Sequence, residues 1–191
     1  VISSENNLLA KISLSKGRVV DGHAPGLSGK DLTAYIAAGI YSDHESVSLK
    51  EAKEKLRQGM YLMIREGPSE KNLDSLLPLV TDKTYKRCFF VVDDRSCRDL
   101  LRDGDIDAVV RKAISRGLEP VRAVTLATLN TAEYFGLKNL GAIAPGYMAN
   151  LIVISELSSL KIDMVFHRGR LVAKQGEPLF SPNKLGSKRL L

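Results

Sequence analysis

The stretch Arg18–Glu45, RVVDGHAPGLSGKDLTAYIAAGIYSDHE, decides how this chain is read. It holds two of the three histidines, each at the end of a short apolar run and each beside acids. Val19 and Val20 lead into Asp21-Gly22-His23, and Ile40 and Tyr41 lead into Ser42-Asp43-His44-Glu45. The segment between them has the length and spacing of the helix in a βα unit, capped by Ser28 or Asp31 and stopped at Gly39. A strand, a polar tip and a helix, repeated, predict a parallel α/β barrel or sheet. In such folds the chemistry collects at the carboxyl ends of strands.

Outward from this stretch the pattern continues. Asn7–Ser15 has helical apolar spacing and leads into a first strand at Arg18–Val20, and Ile40–Ser42 is the second. Ser48 caps the helix SLKEAKEKLRQG, with Glu51 at the capping-box position. Met60–Ile64 is the third strand, tipped by Arg65-Glu66-Gly67, and a helix follows around Asn72–Val80. Arg87–Val92 is the fourth strand and ends in Asp93-Asp94-Arg95. Two helices around Arg98–Leu101 and Ile106–Arg116 come next, then one opened by Pro120 and running to Gly136. Beyond about Lys138 the grammar changes to a Pro-Gly turn, an apolar strand at Leu151–Ile154, and a hairpin about Arg168-Gly169. These signals divide the chain into an α/β part over residues 1–138, a β module over 139–178 and an irregular tail over 179–191. Four βα units are half of an eightfold barrel, and a half barrel has open strand edges to cover.

Composition excludes several classes. The formal charge of +6 comes from 28 basic and 22 acidic residues. These alternate along helices, as in Lys50-Glu51-Ala52-Lys53-Glu54-Lys55, which reads as a solvated face rather than a nucleic-acid footprint. The local basic excess at Lys184, Lys188 and Arg189 lacks interleaved aromatics. Cys88 and Cys97 make neither a disulfide framework nor a metal pair, so reduced thiols in the cytoplasm are expected. No apolar run reaches bilayer-spanning length, so no membrane partner is expected. The chain opens without Met in what reads as the tail of a helix, the expectation being a piece of something longer.

His23, His44 and Asp93 each sit just past a predicted strand, and a barrel would bring them to one mouth. Imidazole and carboxylate are donors that zinc, iron or manganese accept, and an open position leaves a water to be activated. The alternative is a pair of loop histidines satisfied by backbone carbonyls. Two histidines in matching positions plus an acidic strand tip favour the metal. Arg65 and Glu66 end the third strand and could serve as substrate clamp and proton carrier, or form a surface ion pair. Asp94 points to the other side from Asp93 if the pleat continues, and could pair with Arg95. Glu45 could accept a hydrogen bond from substrate or cap the next helix. His167 reads as an exposed hairpin residue.

The segments VVDGHAPGLSGKDLTAYIAAGIYSDHES, MIREG, FFVVDDRS, ATLNTAEYFGL and GAIAPGYMANLIVI closely resemble the adenine deaminases of the amidohydrolase superfamily. The resemblance runs from Arg18 to about Gly176; DGHAPGLSGKDL with SDHE is specific to that branch. It implies a metal-dependent (β/α)₈ barrel flanked by a β-sandwich, of which this chain is the second half (strands five to eight) followed by a small sandwich segment. It implies hydrolysis of adenine to hypoxanthine and ammonia at a manganese or iron centre, with zinc a further option. Matching motifs make His23 and His44 the fifth- and sixth-strand metal ligands, and Asp93 the last-strand ligand that shuttles the proton. Glu66 would protonate or hold the purine, with Glu45, Arg65 and Asp94 as further substrate contacts. The superfamily's first-strand His-x-His pair and fourth-strand carboxylate have no counterpart here. The expectation is therefore a fragment, inactive alone, of a cytoplasmic enzyme that is a homo-oligomer at full length. Two other readings are a dihydroorotase or aminoacylase relative and a non-catalytic half-barrel that serves as an interaction module.

Overall fold

Three short parallel strands carry the site, in the spatial order β1 (Ser42–Asp43), β2 (Tyr61–Arg65), β3 (Cys88–Val91). The computed structural model describes residues 2–3, 5–15 and 17–181. Ser42 pairs with Tyr61, Leu62 with Cys88 and Arg65 with Val91, so the carboxyl ends of all three strands share one edge of the sheet. Crossover helices α2 (Gly29–Ala37), α3 (Leu49–Arg57) and α4 (Leu73–Leu76) lie between or before the strands, α4 running on into a tight turn at Leu77–Leu79. After β3 come α5 (Cys97–Asp103), α6 (Ile106–Ser115), α7 (Pro120–Ala127) and α8 (Leu129–Tyr134), and α1 (Asn6–Leu14) precedes the site.

Parallel strands buried on both faces read as continuous apolar runs, and β2 and β3 obey this. Leu62, Ile64, Cys88 and Phe90 turn towards the helices and meet Leu73, Leu76, Val109, Val110, Ala113, Ala123 and Leu126 in one core. On the other face Met63 and Phe89 pack with Tyr134, Tyr61 and Val91. The C-terminal β module is an antiparallel meander, β4 (Leu151–Glu156), β5 (Lys161–His167), β6 (Arg170–Lys174) and β7 (Glu177–Pro178). It docks through Leu160, which is buried in the main core, with Ile154 and Ile162 beside it. The hairpin turns at Arg168-Gly169, whose φ angles of 50° and 77° are those of a tight primed turn.

Four expectations from sequence are corrected. Arg18–Val20 is not a strand. The chain passes β1 without pairing as a strand, and amides of this loop are taken by side chains: Gly22 N–H donates to Ser42 Oγ at 3.0 Å and Ala24 N–H to Asp43 Oδ1 at 2.9 Å. The contact is close enough that a Cβ on Gly22 would lie 2.0 Å from the Ser42 carbonyl oxygen. The expected single helix from Pro120 to Gly136 breaks at Thr128 (φ −125°, ψ −84°). Past the break, buried Asn130 donates to the carbonyls of Tyr85 (2.7 Å) and Cys88 (2.8 Å) at the start of β3. Ser48 does cap α3 through the Glu51 amide, but the Glu51 carboxylate does not return to it; the reciprocal capping box is at Ser96 and Asp99. Lys55 is not on a solvated face: it is 1% exposed. The basic run at Lys184, Lys188 and Arg189, and nearly all of the expected tail, lie outside the described residues.

Candidate metal centre

Two histidines converge at the shared strand edge. The His23 and His44 rings lie edge to face with centroids 5.4 Å apart. Between them stands Glu45, whose Oε1 is 3.3 Å from His23 Nδ1 and 3.1 Å from His44 Nε2. One nitrogen from each ring and a Glu45 oxygen all lie within 4.8 Å of one another. Two imidazoles and a carboxylate at this separation fit a borderline divalent cation, with coordination positions left over for water or substrate. His23 is exposed while His44 and Glu45 are half-buried, so the centre opens on one side.

Each side chain has a local reason for its place. His23 follows Gly22, the residue that lets the loop approach β1, and its backbone N–H donates to Tyr35 Oη of α2 at 3.0 Å. His44 follows the last residue of β1, and its carbonyl accepts from buried Asn72 Nδ2 at 3.2 Å. Asn72 also donates to the Ser46 carbonyl (2.9 Å) and accepts from the Arg65 amide through Oδ1 (2.6 Å). One side chain thus ties the His44 loop to the tip of β2.

Arg65 is the electrostatic hinge of the centre. Its guanidinium is buried, and Nη1 donates to Glu45 Oε1 at 2.6 Å and to Asp93 Oδ2 at 2.5 Å. Burial alone would lower its pKa, but the hydrogen bonds it donates to Glu45 and Asp93, with their negative charge, outweigh that and raise it, so the cation persists. Asp93 sits just past β3 with a left-handed φ of 57°, a conformation aspartate tolerates better than most residues. Its carboxylate meets Arg65 rather than the imidazoles. Beneath the site, the Asp43 carboxylate is also held low. Burial would raise it, but Lys55, Ser46 and the Ala24 amide together more than offset that.

The structure thus brings together His23, His44, Glu45, Arg65 and Asp93, and leaves Glu66 and Asp94 apart. Consecutive residues on a strand face opposite ways, and with Arg65 inward Glu66 turns to the helices, where it accepts from Lys112 Nζ of α6 at 2.7 Å. Asp94 accepts from Ser69 Oγ at 2.6 Å and not from Arg95, which donates to the carbonyls of Gly104 and Glu66. His167 is exposed at the end of β5. Sequence reasoning gave Asn72 no role in the site and placed Lys55 on a solvated face. Lys55 had a readable signal, since Ala52, Lys55 and Leu56 share one helical stripe with apolar neighbours. A cavity of about 1000 Å³ lies at the opposite strand ends, between Arg18, Tyr41, Tyr61, Arg87 and Tyr134, and is not lined by the histidines.

The fold agrees with what the chain is similar to. The chain belongs to the amidohydrolase family, whose model matches residues 2–172. Membership implies a divalent metal. The chain is 69% identical over 185 residues, 97% of its length, to a protein of Dehalococcoides mccartyi named adenine deaminase. It is 50% identical over 179 residues, 93% of its length, to the adenine deaminase of Oceanobacillus iheyensis. It spans about a third of the length of these curated relatives, 32% and 31%. Among solved structures, the β-aspartyl dipeptidase of Fervidobacterium islandicum AW-1 aligns over 96% of this chain and 55% of its own, with a TM-score of 0.72 at 20% identity. The N-acetyl-D-glucosamine-6-phosphate deacetylase of Mycobacterium smegmatis aligns over 89% of this chain and 53% of its own, with a TM-score of 0.70 at 18% identity. At such identities the likeness is one of fold.

Proposed function

We propose that this chain supplies part of the active site of an adenine deaminase, hydrolysing adenine to hypoxanthine and ammonia. The observation that carries the reading is the convergence of His23 and His44 on Glu45 at the carboxyl edge of a parallel sheet. It gains its substrate from the names of the relatives that match nearly the whole chain. The architecture we infer is the second half of a (β/α)₈ barrel over residues 1–138, followed by a β-sandwich segment over 139–178. The parallel sheet with its flanking helices and the antiparallel meander support that division.

In this reading His23, His44 and Glu45 hold a divalent ion, manganese or iron with zinc as a further option; Glu45 takes the place expected for Asp93 as the carboxylate ligand, because Asp93 faces Arg65. When bound, such an ion supplies Lewis-acid activation of water. Asp93 lies across Arg65 from the histidines and takes the proton of the attacking water, passing it towards the departing ammonia. Arg65, charged and buried, fixes the directions of Glu45 and Asp93 so that one carboxylate faces the imidazoles and the other the substrate. Glu66, paired with Lys112 on the helix side, has no part in this scheme. Asp94 remains a candidate contact for the purine edge.

Only three histidines are present and one is in the hairpin. Turnover in this reading therefore needs donors beyond this chain, in a homo-oligomeric enzyme acting in the cytoplasm on a small molecule, with neither nucleic acid nor membrane as partner. No described helix is long and apolar enough to cross a membrane. The test is hypoxanthine formation from adenine, with bound metal measured alongside, in the full-length protein containing this segment. The expected result is activity dependent on manganese or iron and lost on His44→Ala. Full turnover by a His23→Ala, His44→Ala double variant would refute the reading.

A further inference from the structure

A lysine buried to 1% exposure inside a helix of otherwise solvated charges requires an explanation. Lys55 Nζ has four acceptors: the Ala24 carbonyl at 2.6 Å, Glu51 Oε1 at 2.7 Å, Asp43 Oδ2 at 2.9 Å and Ser46 Oγ at 3.0 Å. An ammonium has three protons, so the shell is full. Ala24 is the neighbour of His23, and Asp43 is the neighbour of His44. The same acceptors bind these loops a second time. Asp43 accepts from the Ala24 amide (2.9 Å), the Ser46 amide (2.9 Å) and the Ser46 hydroxyl (2.7 Å), and Glu51 accepts from the Gly26 amide (2.7 Å). Each histidine is thus flanked by residues that end on one buried cation.

Such a network is an expensive way to stabilise a fold. A buried ion pair is often no better than an apolar replacement of the same volume, whereas an ammonium with fixed acceptors specifies geometry. Apolar packing alone would let the two loops slide by fractions of an ångström. Two imidazoles that share one ion need their nitrogens held more tightly than that.

We propose that Lys55 is a positioning residue: its buried ammonium locks the loop of His23 to the loop of His44 and so sets the separation of the two imidazoles. The proposal rests on the reading of those histidines as one centre, and its test separates the two by reading the ring arrangement in metal-free protein.

The chain offers its own reporters, because it has only three histidines and His167 lies in the β hairpin. In metal-free protein, histidine ring NMR signals are compared for the unmodified chain, Lys55→Met and Leu76→Ala. Leu76 is buried in the main core, so Leu76→Ala lowers stability without touching the network. Lys55→Met is expected to move the His23 and His44 signals by more than their linewidths and abolish the cross-relaxation between the two rings. His167 should stay in place, and Leu76→Ala should move none of the three. Unmoved His23 and His44 signals in folded Lys55→Met would overturn the proposal, as would equal movement in Leu76→Ala. Where Lys55→Met does not fold, Ser46→Ala decides. Ser46 joins the His23 loop through Asp43 and Lys55, so its loss should move His23 as well as His44, and a change confined to His44 would overturn the coupling. Manganese added to the unmodified chain tests the underlying reading separately. Broadening of His23 and His44 with His167 left sharp supports the centre, while no selective broadening removes the metal and leaves the metal-free comparison standing.

Discussion

Asn72→Ala isolates the tie between the His44 loop and β2. The side chain is 2% exposed and makes three hydrogen bonds, to the Arg65 amide and to the carbonyls of His44 and Ser46. Truncation leaves all three backbone groups without that partner in a buried setting. A buried polar group left unsatisfied costs about 1–3 kcal/mol. Three at the lower end, with partial relaxation of the loop, give about 3 kcal/mol, and less relaxation gives about 6 kcal/mol. Either value is a large share of the roughly 5–15 kcal/mol that holds an ordinary domain. Equilibrium urea unfolding followed by circular dichroism measures it. With a slope of about 2 kcal/mol per molar, the midpoint should fall by about 1.5 M or more at unchanged slope. Ser75→Ala, an exposed change in the same helix, should stay within about 0.5 kcal/mol. A loss below about 1 kcal/mol for Asn72→Ala would show that packing, not this side chain, holds the His44 loop.

Three further outcomes follow from the same geometry. Gly22→Ala forces a Cβ to 2.0 Å from the Ser42 carbonyl, with Ile40 and Tyr35 at 3.0 Å, so the His23 loop must move. The melting temperature should drop by an amount matching at least about 1–3 kcal/mol, and an unchanged melting curve would contradict the close approach. Arg65→Met strips the buried cation from Glu45 and Asp93. It should cost about 3–5 kcal/mol, reduced because Asp93 is 35% exposed. Added manganese should recover part of the loss by giving Glu45 a cation again; calorimetry with and without the ion checks both halves. Burial pushes the Cys88 thiol up to about 12. With its folded pKa raised, the stability this group confers is intact below the unfolded thiol's pKa of about 8.5 and is lost as pH rises from there towards 12. Thiol reagent at pH 8 should label exposed Cys97 at once and Cys88 only on unfolding, and rapid labelling of both would contradict the packing of β3.

Much of the site was legible because strand tips in parallel units share one edge, so His44, Arg65 and Asp93 could be placed together from order alone, whereas His23 reaches them on a loop held to β1 and not on the strand expected before it. The hairpin at Arg168-Gly169 was legible for a similar reason, since a primed turn leaves a two-residue mark. Glu66 marks where periodicity was available but went unused: next to Arg65 on a pleated strand, only one of the two could face inward. The directions of Glu45 and Glu51 were not legible. Either carboxylate could have capped its own helix. Each instead turns to a partner about twenty or more residues away, Glu45 to His23 and Arg65, Glu51 to the Gly26 amide.

That contrast has one physical source. Local capping is worth about 1 kcal/mol, and a buried cation seeking acceptors outweighs it. Once Ala52 and Leu56 pack on β2, Lys55 is carried inside with them and must be neutralised. The nearest carboxylates, Glu51 and Asp43, are drawn from the roles that local sequence would assign them. The capping box expected at Ser48 is therefore realised only in half. The amide bond to Ser48 survives, while the reciprocal carboxylate holds the loop of His23.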